Sequence, residues 1–198
     1  MRVLVVAPTS REYKYMRATL DAAQCTKHNY TLICSGIGKA GAAAGVMNAI
    51  AKASEPFEAV AVIGFAAGSA DFKQGDVVAP ARAIYHDCDV PEGFIPELTD
   101  PYTLAGTDDI TVFTGDSFVN ATSVTEIMNR FDTKSAIFDM EIMVIAIAVR
   151  DYASAIPLLA VKYISDVPQS GHNEWSYDDF ANTHSDFAPL LNRIEEIL

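Results

Sequence analysis

Short apolar runs that do not alternate, separated by stretches with helical spacing, constrain this chain more than any other feature. Residues 2–7 (RVLVVA), 58–63 (EAVAVI) and 157–165 (PLLAVKYIS) are dominated by β-branched and aliphatic residues. A strand apolar on both faces must be covered on both faces, the condition of a mostly parallel sheet between helical layers. YTLICS at 30–35, ITVFT at 110–114 and SAIF at 135–138 read as further strands. Between the runs, Thr9-Ser10 offers an N-cap to REYKYMRATLDAA, and an Ala-rich helix follows GIGKAGAAAG to about Lys52. MEIMVIAIAVRDYA is apolar nearly all round and is expected to be buried. The tail SYDDFANTHSDFAPLLNRIEEIL reads as one amphipathic helix, with Pro189 a point of interruption. GFAAGSA reads as a small-residue turn after the third strand, Gln74-Gly75-Asp76 as a turn into VVAPA, and the polar, Pro-rich stretch 87–109 as a surface loop. The expected architecture is a single α/β domain over residues 1–198, a three-layer sandwich around a central, mostly parallel mixed sheet.

Composition narrows the function classes. Half of the 198 residues are hydrophobic and a fifth are charged, an ordinary globular profile. The longest apolar stretches, such as MVIAIAV at 143–149, are too short to span a bilayer, and no signal-peptide core is expected at the N-terminus. The expected setting is cytoplasmic, with no membrane partner. A net charge of −12 repels phosphate backbones, which argues against nucleic acid as a partner. It does not repel a neutral nucleoside. Cys25, Cys34 and Cys88 form no CxxC and no disulfide framework, and read as free core thiols, with Cys34 in a buried strand.

Several motifs fall at strand ends, where ligands bind in open α/β sheets. Gly36-Ile37-Gly38-Lys39-Ala40-Gly41 matches GxGxxG between a strand and a helix. It admits three readings: a dinucleotide fingerprint with Glu55 or Glu58 as the distal acid, a tight structural turn, or a turn whose amides approach a small molecule. Glu12 follows the first strand, Asp139 and Glu141 flank Met140 at the start of the buried helix, and Asp166 follows Ser165 after the last strand. An isolated acid of this kind caps a helix or faces solvent more often than it does chemistry. Glu141 resists that reading, because IMVIAIAV follows directly and a buried acid needs a partner. His86 has no ligand spacing to His28, His172 or His184 and reads as a surface or interface residue, so no metal is expected. Ser117 lacks the GxSxG elbow of a nucleophile.

Taken in order, SGIGKAGAA, GFAAG, QGDVV, YHDCDV, TGDSFV, FDMEI and ISDV resemble the purine/uridine phosphorylase superfamily. TGDSFV, DMEI and ISDV are most similar to its methylthioadenosine/S-adenosylhomocysteine nucleosidase branch. The resemblance implies hydrolysis of a purine nucleoside without metal or organic cofactor, by a homodimer. It makes Asp166 the general acid toward the purine, after Ser165, and Glu12 the carboxylate that activates water. Glu141 would hold the ribose hydroxyls, with Met140 beside the sugar. Phe118 and Val119 would form the adenine pocket, Ile37 an apolar sugar-side contact, and Tyr177 an aromatic cover. The chain departs from that pattern in three places. Phe65 stands where a hydroxyl is usual, Lys162 and Asp139 replace the usual Arg and Glu, and the segment before Tyr30 is shorter. A phosphorylase, or a nucleoside-binding protein without catalysis, is the alternative. The first loop, Ala7 to Arg11, lacks the glycines of a phosphate cradle.

Overall fold

The computed structural model describes residues 1–88, 90, 100–153, 156–168 and 176–198. The first strand, β1 (Arg2–Ala7), lies between β2 (Asn29–Cys34) and β3 (Ala59–Gly68), parallel to both. β3 outruns its neighbour. Ala59–Val62 pair with β1, while the strand runs on beside β9 (Leu158–Asp166) and ends antiparallel to β8 (Ala136–Asp139). β8 continues in parallel to β7 (Asp108–Thr114), and β7 to β5 (Pro80–Tyr85). Two short strands, β4 (Val77–Val78) and β6 (Tyr102–Thr103), run antiparallel on β9 and β5. The sheet is mixed and mostly parallel, as the unalternated runs predict.

Alternate residues of the strands feed two cores. Leu4, Val6, Val60, Val62 and Ile164 meet α2 (Gly38–Lys52) and α4 (Ile142–Ala153) on one face. Val3, Val5, Ala61, Ile63 and Val161 meet α1 (Ser10–Ala22), α5 (Ser176–Thr183) and α6 (Ala188–Ile197) on the other. Val3 to Ala7 are without exception fully buried, each valine and leucine among them contributing roughly 1.5–3 kcal/mol of transfer free energy. A smaller core joins Phe113 and Phe138 to α3 (Ala121–Arg130). Among the described residues no helix is long and apolar enough to cross a membrane.

Four expectations need correction. GFAAG is not a turn: it is the buried second half of β3, where small residues admit close neighbours. A Cβ on Gly68 would sit 3.0 Å from Ile164 and 3.1 Å from Phe72. The tail is two helices, and the break at 184–187 precedes Pro189, which lies in the first turn of α6 where its missing N–H costs nothing. Cys34 is in a strand but exposed, because β2 is an edge; Cys25 is exposed too, and only Cys88 is half-buried. The stretch 87–109 contains β6 and the start of β7, while 89 and 91–99 lie outside the described residues.

Candidate active site

Glu12 is placed by local chemistry. Thr9 caps α1, and Glu12 closes a capping box by accepting the Thr9 N–H at 2.8 Å. The same oxygen accepts the Thr9 hydroxyl at 2.6 Å, and the other accepts the Phe65 N–H at 2.9 Å. The side chain is 3% exposed. β1 has ended at this level while β3 continues, so the carboxylate docks against bare strand. Gly64 makes that approach possible: its φ is +140°, and a Cβ there would lie 2.0 Å from Glu12 Oε1.

Glu141 follows β8 and precedes α4, outside the helix in which the sequence reading put it. It is 6% exposed, and its Oε1 accepts the Gly38 N–H at 2.9 Å. Ile37, at the N-cap of α2, makes no side-chain cap bond, so a carboxylate about a hundred residues away along the chain satisfies the first turn of that helix. Burial pushes the Glu141 carboxyl up to about 7; Asp139 and Glu12 add to the rise, and Lys162 and the Gly38 amide oppose it. Asp139 closes β8, its Oδ1 accepting the Thr114 hydroxyl at 2.7 Å and its Oδ2 the Ile142 N–H at 3.0 Å. Lys162 Nζ lies 3.6 Å from the latter oxygen.

Asp166 ends β9, where a bulge between Ala66 and Ala67 shifts the β3–β9 register and brings it opposite Ala67. Bulges re-aim side chains in this way. Asp166 Oδ1 accepts the Ser165 hydroxyl at 2.6 Å, and burial raises its carboxyl above the usual range, the Ser165 bond pulling the other way.

Glu12, Glu141 and Asp166 open onto one cavity of about 180 Å³ at the carboxyl ends of β1, β3, β8 and β9. Met140, Phe118, Val119, Ile37, Ser165, Phe65 and Tyr177, the other site residues expected from the resemblance, line it as well. Pro8, Thr9, Ala66, Ala67, Ser117, Phe138 and Asp139 complete the wall. The ionisable lining groups are four carboxylates and the Tyr177 phenol, which burial raises to about 12. Ile37 and Phe118 are 62% and 82% exposed at the mouth, with the Phe118 ring 6.0 Å from that of Tyr177. Phe65 turns its ring into a cluster with Tyr163, Tyr177, Phe180 and Phe187, at centroid distances of 5.5–6.3 Å. Its contribution to Glu12 is its backbone amide, which any residue supplies.

Other candidates stand apart. Gly38 spends its N–H on Glu141, and Gly36 and Gly41 pack backbone to backbone, a Cβ on Gly41 falling 3.2 Å from Gly36. Glu58 accepts the Arg2 N–H and Glu55 pairs with the Arg2 guanidinium, at the amino end of the sheet, so neither serves as a dinucleotide acid. His86 packs over Gly115 and Phe138 and, rather than standing at the surface, keeps Nε2 buried. Among the described residues no three His, Cys, Asp or Glu side chains are grouped to hold a metal ion. Thr9 is the N-cap expected of it, but its hold on Glu12 was not expected, although the Thr-x-x-Glu spacing of a capping box marks it; Gly64 was missed.

A family model described as the phosphorylase superfamily matches residues 5–196. An S-adenosylhomocysteine nucleosidase from Streptococcus pyogenes, in complex with 5-methylthiotubericidin, is similar with a TM-score of 0.81 and 22% identity, over 100% of this chain and 98% of that one. An MTA/SAH nucleosidase from Streptococcus pneumoniae, in complex with 8-aminoadenine, gives 0.79 and 25% over 100% of both chains. A 5'-methylthioadenosine/S-adenosylhomocysteine nucleosidase from Neisseria meningitidis, in complex with methylthio-immucillin-A, gives 0.80 and 22% over 99% of this chain and 97% of that one. No curated protein matches. With matched residues running from the first strand to the last helix, the chain belongs to the phosphorylase superfamily.

Proposed function

We propose that this chain is a purine nucleosidase, which uses water to cut the N-glycosidic bond of a nucleoside such as 5'-methylthioadenosine or S-adenosylhomocysteine and releases adenine. One observation carries the reading: three buried or half-buried carboxylates, from the first turn of α1, the turn after β8 and the end of β9, converge on a partly aromatic cavity whose described lining holds no lysine or arginine. The bond breaks through a cationic, oxocarbenium-like sugar. Anions around it stabilise that charge, and a phosphate co-substrate would be repelled. Arg11, the one cation in the Ala7–Arg11 segment, is paired with Asp178 at 3.1 Å.

In this mechanism Asp166 delivers a proton to N7 of the purine, so that the base leaves neutral. Its raised carboxyl suits a proton donor. Glu12 accepts a proton from the water that adds to C1' as the bond to the base breaks. Its two oxygens are held by three donors, which fix its direction. Glu141 accepts the ribose hydroxyls with Met140 beside the ring, while Phe118 and Val119 flank the adenine and Ile37 and Tyr177 enclose the sugar side. Ser165 orients Asp166, and Phe65 supplies the amide that steadies Glu12. The exposed apolar pair at the mouth, Ile37 and Phe118, supports a homodimer whose second copy covers it; light scattering on the eluted protein at micromolar concentration is expected to give twice 21.4 kDa.

The test is incubation with 5'-methylthioadenosine, with and without phosphate, following free adenine and the sugar product. Adenine release with free methylthioribose, indifferent to phosphate, is expected. Phosphate-dependent release of a sugar phosphate overturns hydrolysis in favour of phosphorolysis. Tight binding without release makes the chain a nucleoside-binding protein.

A further inference from the structure

Glu12 lines the cavity but has little left with which to meet a water. Its side chain is almost wholly buried. A carboxylate offers roughly four acceptor sites, and here three of them are occupied. Oε2 accepts both the Thr9 N–H at 2.8 Å and the Thr9 hydroxyl at 2.6 Å. Oε1 accepts the Phe65 N–H at 2.9 Å. The remaining site is on Oε1, and that oxygen is pressed against β3, where a Cβ on Gly64 would overlap it. A base enclosed in this way is firmly held and poorly placed to touch a nucleophile itself.

Thr9 is open where Glu12 is closed. It is half-buried, stands between β1 and α1, and lines the same cavity. A hydroxyl has one proton to give and two lone pairs. The proton goes to Glu12 Oε2, over a distance that belongs to the short, charge-assisted class of hydrogen bond. One lone pair accepts the Glu12 N–H at 3.2 Å. Among the described residues no other group donates to Thr9 Oγ, so its second lone pair is free for a guest. Capping alone does not demand this residue, since Asp and Asn cap a helix as well as Ser and Thr do. Only a hydroxyl puts a proton to give and a lone pair to receive one on a single atom.

We propose that Thr9 is a catalytic residue, the relay between the attacking water and Glu12. The water donates a hydrogen bond to Thr9 Oγ. As the water oxygen adds to C1' and the bond from C1' to the base breaks, its proton passes to Thr9 Oγ, and the Thr9 hydroxyl proton passes to Glu12 Oε2. Thr9 ends as it began, a neutral hydroxyl, and Glu12 ends protonated. The sugar keeps the new hydroxyl, and the electron pair of the broken bond leaves with the purine that Asp166 protonates. The relay rests on the nucleosidase reading and needs no further reactant.

The experiment measures kcat and KM for adenine release, the affinity for adenine by calorimetry, and the melting temperature, in the wild type, Thr9→Ser, Thr9→Asn and Thr9→Val. Thr9→Asn keeps a cap for α1 and a donor for Glu12, but its amide nitrogen has no lone pair with which to take up a proton. Its kcat, like that of Thr9→Val, is expected to fall by about 10²-fold or more, the lower end of what a positioned proton-transfer group supplies. Adenine affinity is expected to be unchanged in all three variants. Only Thr9→Val is expected to melt lower, because it alone loses the cap. Thr9→Ser, which restores the hydroxyl, is expected to stay within about tenfold of the wild type in kcat. Near-wild-type kcat in Thr9→Asn overturns the relay and leaves Thr9 a cap that steadies Glu12. So does a Thr9→Ser variant as slow as Thr9→Val, or a loss of kcat matched by a loss of adenine affinity, which marks a reshaped cavity. Should Thr9→Val not fold, the comparison of Thr9→Asn with Thr9→Ser decides alone. A wild-type protein that releases no adenine, or releases it only with phosphate, overturns the nucleosidase reading and the relay with it. One that hydrolyses, with Thr9→Asn keeping pace, loses the relay alone.

Discussion

At the scale of single residues, the site depends on carboxylates whose surroundings differ although their side chains are alike. Asp166 is raised by burial and has one hydroxyl partner. Asp166→Asn preserves shape and removes a carboxyl that burial disfavours, so the protein is expected to melt at or above its usual temperature. Adenine release is expected to fall by about 10²–10⁴-fold, the usual worth of a general acid; near-wild-type turnover removes Asp166 from that role. Phe65 makes the opposite case. Its amide serves Glu12 while its ring fills an aromatic cluster. Phe65→Ala is expected to cost about 3–5 kcal/mol of stability in denaturant titration, with kcat at low temperature changed less than tenfold. These carboxylates were legible in the sequence because each lies just beyond a readable strand. Phe65 was legible only as an oddity, since a sequence does not reveal which part of a residue faces a site. Gly64 was missed for a related reason: its value lies in an absent side chain beside a residue far away in the chain.

At the scale of elements, β3 matters most. Its first half lies between β1 and β9 and its second half runs on beside β9 to meet β8, so that three carboxylates are brought to one level. Gly64, in that second half, is expected to tolerate no side chain. Gly64→Ala puts a Cβ where Glu12 Oε1 now lies and imposes an unfavourable φ; at least a hundredfold loss of kcat with β-sheet circular dichroism intact is the expected result. The apolar runs made β1, β7 and β9 readable, because burial on both faces leaves a plain signature. GFAAG was misread as a turn because small residues serve turns and crowded strands alike. The helix α3 went unread, although Asn120 caps it by accepting the Thr122 and Ser123 N–H groups, each at 3.0 Å. Val124, Ile127 and Met128 do fall at helical spacing, but across ten residues that signal is short.

For the molecule as a whole, the site opposes stability. The Glu141 carboxyl rises from an ordinary 4.5 to about 7 on folding. A carboxyl raised in the folded state favours folding at low pH, and that contribution is lost as pH climbs through the folded value. Glu141→Gln, which can still accept the Gly38 N–H, is therefore expected to be more stable than the wild type at pH 8, by on the order of 3 kcal/mol. The difference should vanish near pH 4.5. Thermal melts at both pH values check this, at about 2–4 °C per kcal/mol for a chain of this size. The bond between Glu141 and Gly38 has one more consequence. The amide at the start of α2 is a built-in reporter of occupancy, because a ligand that recruits the carboxylate must renegotiate its hold on that N–H. Hydrogen exchange and the 15N shift at Gly38 will register a guest in the cavity whether or not the guest is ever cut.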